Sequence, residues 1–439
     1  MSSTEHRFAF FRQSGWMGLA TGLGGLFMSL VHMPAARMPP AEYGVLLMFL
    51  QVLNLMLIPA MGLQTVVAQQ TAAAITREQQ AELSHTVRVL FMAMLLLWAC
   101  AAVATFIGRG WLLTTLKVGN PAALWITLVI GLASLWYPIL LGILQGQQNF
   151  LWLGWLQIIN GFVRFSGVIV IVWWLGGYAA GALAAALFAY GVVLTTAAWL
   201  GKNAWMGAGR PVEWHKWLRR VVPLTLGLAA SQFMMAADQI VVQRLFDREV
   251  TARYGAAGMI GRALVFFTGA LVAVMFPKIV RSVAKSEKTD VAAIALATTA
   301  IVGTLAGVVC TIAPALPLKI LYYFQPEYWS SSQLVPWFVW CMLPLTLANV
   351  LINNLLARGR FVCVPWLLLV AAGYGAALVL RADKFTQAEI FTAFKMVIQT
   401  IGMFSCLLLA VAAFFTWYRR TPIVQPTVPG AGSPPTPPI

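Results

Sequence analysis

The sequence predicts an all-α membrane protein: twelve transmembrane helices in two pseudo-symmetric six-helix lobes around a central cavity. Three observations carry that prediction. Of the 439 residues, 60% are hydrophobic and only 10% charged, too little polar surface to cover a water-soluble fold of this size. The apolar residues gather in runs of about 20 or more, the length a helix needs to cross hydrocarbon. Finally, the chain repeats itself. Residues 43–72, YGVLLMFLQVLNLMLIPAMGLQTVVAQQTA, and the stretch from 254, YGAAGMIGRALVFFTGALVAVMFPKIVRSVAK, both open with Tyr-Gly, run on as one apolar helix and leave through a polar segment. ILQGQQNF (143–150) and LLARGRF (355–361) form a second such pair. The offset is nearly constant, 211 residues from Gly44 to Gly255 and 213 from Gly146 to Gly359. It equals six spans, so the halves share one orientation and an axis along the membrane normal.

Taken in order, the N-terminus is basic and only briefly apolar, without the short core and small-residue cleavage site of a removable leader. The first span, residues 14–33, is therefore expected to stay. Its Gly22, Gly24 and Gly25 imitate a dinucleotide fingerprint, but no strand precedes them, and close helix packing through small residues is the better reading. Further spans fall at 43–68, 85–108, 122–144, 151–173 and 178–201. KNAWMGAGRPVEWHKWLRR, the most basic connection, follows at 202–220. The second lobe holds spans at 222–246, 254–276, 291–312, 334–356, 361–380 and 387–417. The expected organisation is thus an N-terminal lobe (1–201), a cytoplasmic connection (202–220), a C-terminal lobe (221–420) and a Pro-rich tail (421–439) that is disordered in water.

Twelve spans put both termini on one side. With the N-terminus inside, the inner segments hold 17 Lys and Arg and the outer segments 9, so the positive-inside rule makes both ends cytoplasmic. In a membrane protein this basic excess reports orientation and anionic partners, and nucleic acid is not expected among them.

Three cations and one acid remain inside the membrane: Arg164, Arg262, Lys395 and Asp238. A charge at mid-bilayer costs roughly 2.5 to 3.5 kcal/mol even on the insertion scale, so it normally faces a bundle interior or a watery cavity. At 1.5 Å rise per residue all four lie roughly 12 to 14 Å below the outer boundary. Gln51, opposite Arg262 in the repeat, lies in the same layer. Polar residues extend these positions along single helical faces: Gln157, Asn160 and Arg164; Ser231, Met235 and Asp238; Thr392, Lys395 and Gln399. Asn349 and Asn353 form a similar pair. This is the pattern of a hydrated cavity lined from several helices, with Arg164, Arg262, Lys395, Asp238, Gln51, Asn160 and Gln399 as candidate binding residues. The alternative for Asp238 is an interhelical lock with one of the basic residues. Three cations against one carboxylate still leave two positive charges, which an anionic ligand would balance.

AADQIVVQRLF, the Tyr-Gly helix after it, and LKILYYFQPEYWSSSQLVPWFVWCMLPLTLANVLINNLLARGRF resemble the polysaccharide flippase branch of the multidrug/oligosaccharidyl-lipid/polysaccharide exporter superfamily. The resemblance rests on an Asp before a Tyr-Gly-opened helix (Asp238, Tyr254, Gly255), Phe276-Pro277, a Pro-Glu-Tyr segment (326–328) and Arg358-Gly-Arg360. It implies two six-helix lobes that alternately open a cationic cavity and carry polyprenyl-diphosphate-linked sugars, O-antigen type units among them, across the bacterial inner membrane. Its implied partners are the lipid-linked glycan, membrane lipids and a polysaccharide polymerase or export machinery. A cation-coupled multidrug exporter of the same fold is the competing reading; it calls for acidic cavity residues, and Asp238 is the one clear acid.

No enzyme is expected. HExxH, GxSxG and P-loop motifs are missing, and no outer connection is long enough for a catalytic domain. The five cysteines lie in apolar runs, never closer than 22 residues, and the four histidines are isolated, so neither a metal site nor a disulfide framework nor any cofactor is expected.

Overall fold

The computed structural model describes residues 3–210, 214–265 and 291–417. The principal helices are α1 (Ser3–Leu30), α2 (Pro40–Ala73), α3 (Arg77–Ile107), α4 (Pro121–Gly146), α5 (Phe150–Val168) and α6 (Tyr178–Leu200). The second lobe holds α7 (Trp214–Leu245), α8 (248–265), α9 (Val291–Ile312), α10 (Val335–Ala357), α11 (Val364–Leu380) and α12 (Ile390–Trp417). Among the described residues eleven helices are long and apolar enough to cross a membrane; α8, the twelfth, is described over its first eighteen residues. The Phe276-Pro277 pair and the tail at 421–439 lie outside the described residues.

Local chemistry sets the helix starts. Pro40 and Pro121 stand at first-turn positions, where the missing N–H costs nothing and φ is already helical. Thr76 and Gln79 form a capping box at the start of α3, satisfying two otherwise orphaned donors. The Asn120 side chain accepts from Ala122 N at 3.0 Å to start α4. Two features were not legible beforehand. The end of α5 widens into a π-helical turn, Ile169–Trp174, and the link between α9 and α10 is structured as a short helix, Ala315–Leu321, followed by a 3-10 turn, Pro326–Leu334.

Packing repeats the internal symmetry. Helix α1 packs on α5, α3 on α4, α4 on α6 and α5 on α6; six helices later α7 packs on α11, α9 on α10, α10 on α12 and α11 on α12. The contact of α2 with α4 recurs as α8 with α10, where the Tyr254 and Phe338 rings meet at 5.0 Å. The outer walls carry exposed apolar side chains, Leu96, Phe106, Leu305 and Ile312 among them, as expected where the solvent is lipid tail. The small-residue reading of the first span holds at one glycine. A Cβ on Gly24 would lie 2.9 Å from the Gln157 carbonyl oxygen, whereas Gly22 and Gly25 face open space.

Between lobes, α2 packs along α7. Near its start α2 also crosses α8, with a glycine of each helix at the contact. A Cβ on Gly44 would lie 2.9 Å from the Arg248 carbonyl oxygen, and one on Gly255 would run into Leu47. The glycine of each Tyr-Gly pair thus faces the opposite helix, Gly44 at Arg248 and Ala252 and Gly255 at Leu47.

Candidate functional site

The charged layer divides between the lobes. In the C-terminal lobe Asp238 of α7 and Arg262 of α8 are 0% and 1% exposed. The Arg262 Nη2 donates to both carboxylate oxygens, at 2.8 Å and 2.7 Å, and Nε donates to the Met235 carbonyl at 3.1 Å. The Tyr254 hydroxyl donates to Asp238 Oδ2 at 2.8 Å. Asp238 therefore accepts three hydrogen bonds, and the charge of Arg262 is cancelled beside it. Gly258 makes room for this arrangement, since a Cβ there would sit 2.5 Å from Arg262 Nη1. The expectation of an Arg262 open to a cavity is not what this conformation holds. It carries the interhelical lock, because a carboxylate in low dielectric draws the nearest guanidinium more strongly than a distant solvent path does.

Arg164 sits in the other lobe. Helix α5 directs it toward α1 and α6, where its Nη1 lies 4.0 Å from Met28 Sδ and His32 and Tyr190 are its electrostatic neighbours. It is 8% exposed, and among the described residues no carboxylate pairs with it. Asn160, one turn earlier on the same helix, is half-buried. Gln51 on α2 is buried and accepts from Asn54 Nδ2 at 3.1 Å. Each arginine's neighbours are thus confined to its own lobe, and the two are not brought into contact.

Lys395 on α12 is half-buried and likewise has no carboxylate partner among the described residues. Gln399, one turn on, lines a groove of about 370 Å³ whose walls come from the C-terminal lobe alone, with Thr311 of α9 and Trp337 and Trp340 of α10. Asn349 and Asn353 do meet: Asn353 Nδ2 donates to the Asn349 carbonyl at 2.8 Å, and Ser231 of α7 donates to Asn349 Oδ1 at 3.4 Å. The seam between α7 and α10 is polar. Among the described residues no group of His, Cys, Asp or Glu could hold a metal ion.

Sequence reasoning missed the closure of the bundle at the end where α2 begins. The Tyr43 hydroxyl hydrogen-bonds His32 Nδ1 at 3.0 Å and, across the lobe boundary, the Tyr322 hydroxyl at 2.9 Å. The Tyr328 ring lies 5.5 Å from that of Tyr43. Burial raises the Tyr322 hydroxyl above the ordinary tyrosine range, so the phenol stays protonated. Nearby, the Arg37 guanidinium lies 3.7 Å from the Trp173 ring centroid of its own lobe and 4.2 Å from that of Phe324 in the other, a cation held between two aromatic faces. Lys117 donates to the Phe246 carbonyl and lies 3.8 Å from Asp247 Oδ1. The repeated Tyr-Gly pair was the available signal for Tyr43 and Tyr254. Nothing in the pattern marked Arg37.

Comparison with known proteins places this geometry. A family model described as "Polysaccharide biosynthesis protein" matches residues 10–283. Among solved structures, an inward-facing multidrug resistance MATE family transporter of the MOP superfamily superposes with a TM-score of 0.67 at 12% identity, over 91% of this chain and 93% of that one. The lipid II flippase MurJ, in an inward closed conformation, gives 0.65 at 12% identity, over 92% and 87%. A MOP superfamily transporter from Pyrococcus furiosus Vc1 (DSM3638), whose reversed binding-pocket polarity is taken to suggest a different function, gives 0.65 at 14% identity, over 93% and 94%. At such identities the likeness is one of fold. No curated protein matches the chain in sequence.

Proposed function

The chain belongs to the polysaccharide biosynthesis protein family, within a superfamily of multi-pass membrane transporters and flippases, and from that premise we propose that it flips a polyprenyl-diphosphate-linked oligosaccharide from the cytoplasmic to the outer leaflet of a bacterial inner membrane. The observation that carries the reading is the charge balance of the membrane layer. Arg262 takes up Asp238, so of the three cations in that layer Arg164 and Lys395 are left without a carboxylate among the described residues. A diphosphate supplies the missing negative charge. We assign the diphosphate to Arg164, whose planar fork makes paired, charge-assisted bonds to phosphate oxygens, with Asn160 on the same face as a neutral donor. Gln51 and Lys395 line the route, and the Asp238 to Arg262 pair holds α7 to α8. The end closed by Tyr43, Tyr322 and Arg37 is the outer one, and both termini are cytoplasmic.

The test is translocation of a fluorescent undecaprenyl-diphosphate-linked oligosaccharide by purified protein in proteoliposomes. Arg164→Ala is expected to lower the rate at least about tenfold and Arg164→Lys to keep an intermediate rate, since lysine retains charge without the fork. Equal amounts of inserted protein are the control. Parental translocation by Arg164→Ala would sink the proposal, as would export of cationic drugs with no movement of the lipid-linked sugar.

A further inference from the structure

At the end of the bundle opposite Tyr43, helix α3 presents one stripe, Arg88, Phe91, Met92 and Leu95, to a cavity of about 540 Å³. Trp136 of α4 and Trp205 and Met206, just beyond α6, complete its walls. Such a volume is ample for part of an amphiphile. The cavity has one charged group and otherwise apolar walls. The Trp136 indole N–H is already spent on the Phe91 carbonyl at 3.1 Å and that of Trp205 on the Ala198 carbonyl at 3.0 Å. Arg88 is exposed, and among the described residues no carboxylate pairs with it. Its guanidinium rests against Gly209, where a Cβ would lie 2.5 Å from Nη2, and so it is held at the cavity mouth. The cavity opens sideways, toward the exposed faces of Met92 and Met206, 55% and 66% accessible.

We propose that this cavity is a binding site for an anionic phospholipid, with the lipid phosphate on Arg88 and an acyl chain laid along Met92 and Leu95. The chemistry selects the occupant. A soluble anion would leave the aromatic and aliphatic walls unfilled, and an uncharged hydrocarbon would leave the guanidinium unpaired. An amphiphile with a phosphate at one end satisfies both, and tryptophans at the height of lipid headgroups are the usual companions of such a site. Charge complementarity favours an anionic headgroup over a zwitterionic one. The connection beside it is basic, with Lys202 and Arg210, and the Glu78 carboxylate on α3 is occupied by Arg210 at 3.2 Å. The site joins α3 and α4 to the connection between the lobes, so an occupied cavity braces that connection.

Native mass spectrometry of the full-length protein in detergent, titrated with phosphatidylglycerol and with phosphatidylcholine of the same chains, tests the assignment. The parent is expected to retain one phosphatidylglycerol in preference to phosphatidylcholine. Arg88→Gln, at an exposed position where folding is not at stake, is expected to weaken phosphatidylglycerol binding about tenfold and phosphatidylcholine binding much less, so that the preference between them is lost. Met92→Trp, which fills the trough and keeps the charge, is expected to weaken both. Unchanged phosphatidylglycerol binding in Arg88→Gln overturns the proposal. So does displacement of phosphatidylglycerol by an equimolar polyprenyl phosphate, which would make the cavity an entry point for an isoprenoid lipid instead. Neither result bears on the role given to Arg164, which is read by translocation.

Discussion

Removing Arg262 alone should damage the protein more than removing Arg262 and Asp238 together. The pair is buried to within 1% of full enclosure, with its closest N to O distance at 2.7 Å. Arg262→Met leaves a carboxylate whose remaining partner is the Tyr254 hydroxyl, and breaking a buried pair from one side typically costs about 3 to 5 kcal/mol. Asp238→Leu leaves a buried guanidinium with the Met235 carbonyl and the Phe338 ring as its partners, at a similar cost. The double variant strands no charge, and apolar replacements of buried pairs are often neutral. What it does strand is the Tyr254 hydroxyl, worth about 1 to 3 kcal/mol when unsatisfied, so Tyr254→Phe added as a third change should recover more. Thermal unfolding in detergent, read as a double-mutant cycle, gives the coupling, expected to exceed the cost of either single change because the double variant loses less than Arg262→Met alone. If the double variant loses stability by the sum of the singles, the lock is not what this geometry says. The triple variant should also translocate substrate within a few-fold of the parent; a stable but inactive triple would put Arg262 in the substrate path after all.

Other expectations concern the closed end and the orientation. Tyr254→Phe by itself removes one of three bonds to a carboxylate and should cost about 1.5 to 3 kcal/mol, measured in the same unfolding assay; no change would mean the hydroxyl is not aimed at Asp238. Gly44→Val cannot keep the approach of α2 to the Arg248 carbonyl, so a cysteine at Tyr322 should become more reactive to a membrane-impermeant thiol reagent. Labelling at the parental level would show that the crossing does not hold this end shut. Arg37→Ala should act in the same direction and more weakly, by the loss of about 1 kcal/mol of cation to ring attraction. Reporter fusions near Met206 should lie in the cytoplasm and near Trp329 outside, and the reverse at both would invert the proposed orientation.

The sequence made the number of spans, the repeat and the charged layer readable because each is a one-dimensional property: run length, offset and position along a helix. Partner choice is not. Asp238 and Arg262 are 24 residues apart on different helices, and helix rotation decides whether they meet, a quantity that an apolar run does not encode. Rotation likewise decides that Gln399 meets Trp337 and Trp340 in a groove of its own lobe. Tyr322 and Tyr328 lie in a connection read as a link between spans; their burial depends on Tyr43, nearly 280 residues earlier. The repeat marked out the two halves, while the pairing of Arg262 with Asp238 depends on how α7 and α8 are turned against each other.

The crossing of α2 and α8 has a bearing on how this end comes apart. Its two glycines belong to one contact, so neither is released alone. Any swing of one lobe that lifts Gly44 off the Arg248 carbonyl lifts Gly255 off Leu47 by about the same amount, and a small separation forfeits the dispersion contacts of both while exposing neither side to new partners. Close contacts of this kind fade steeply with distance, so this end is expected to sit either shut or well parted.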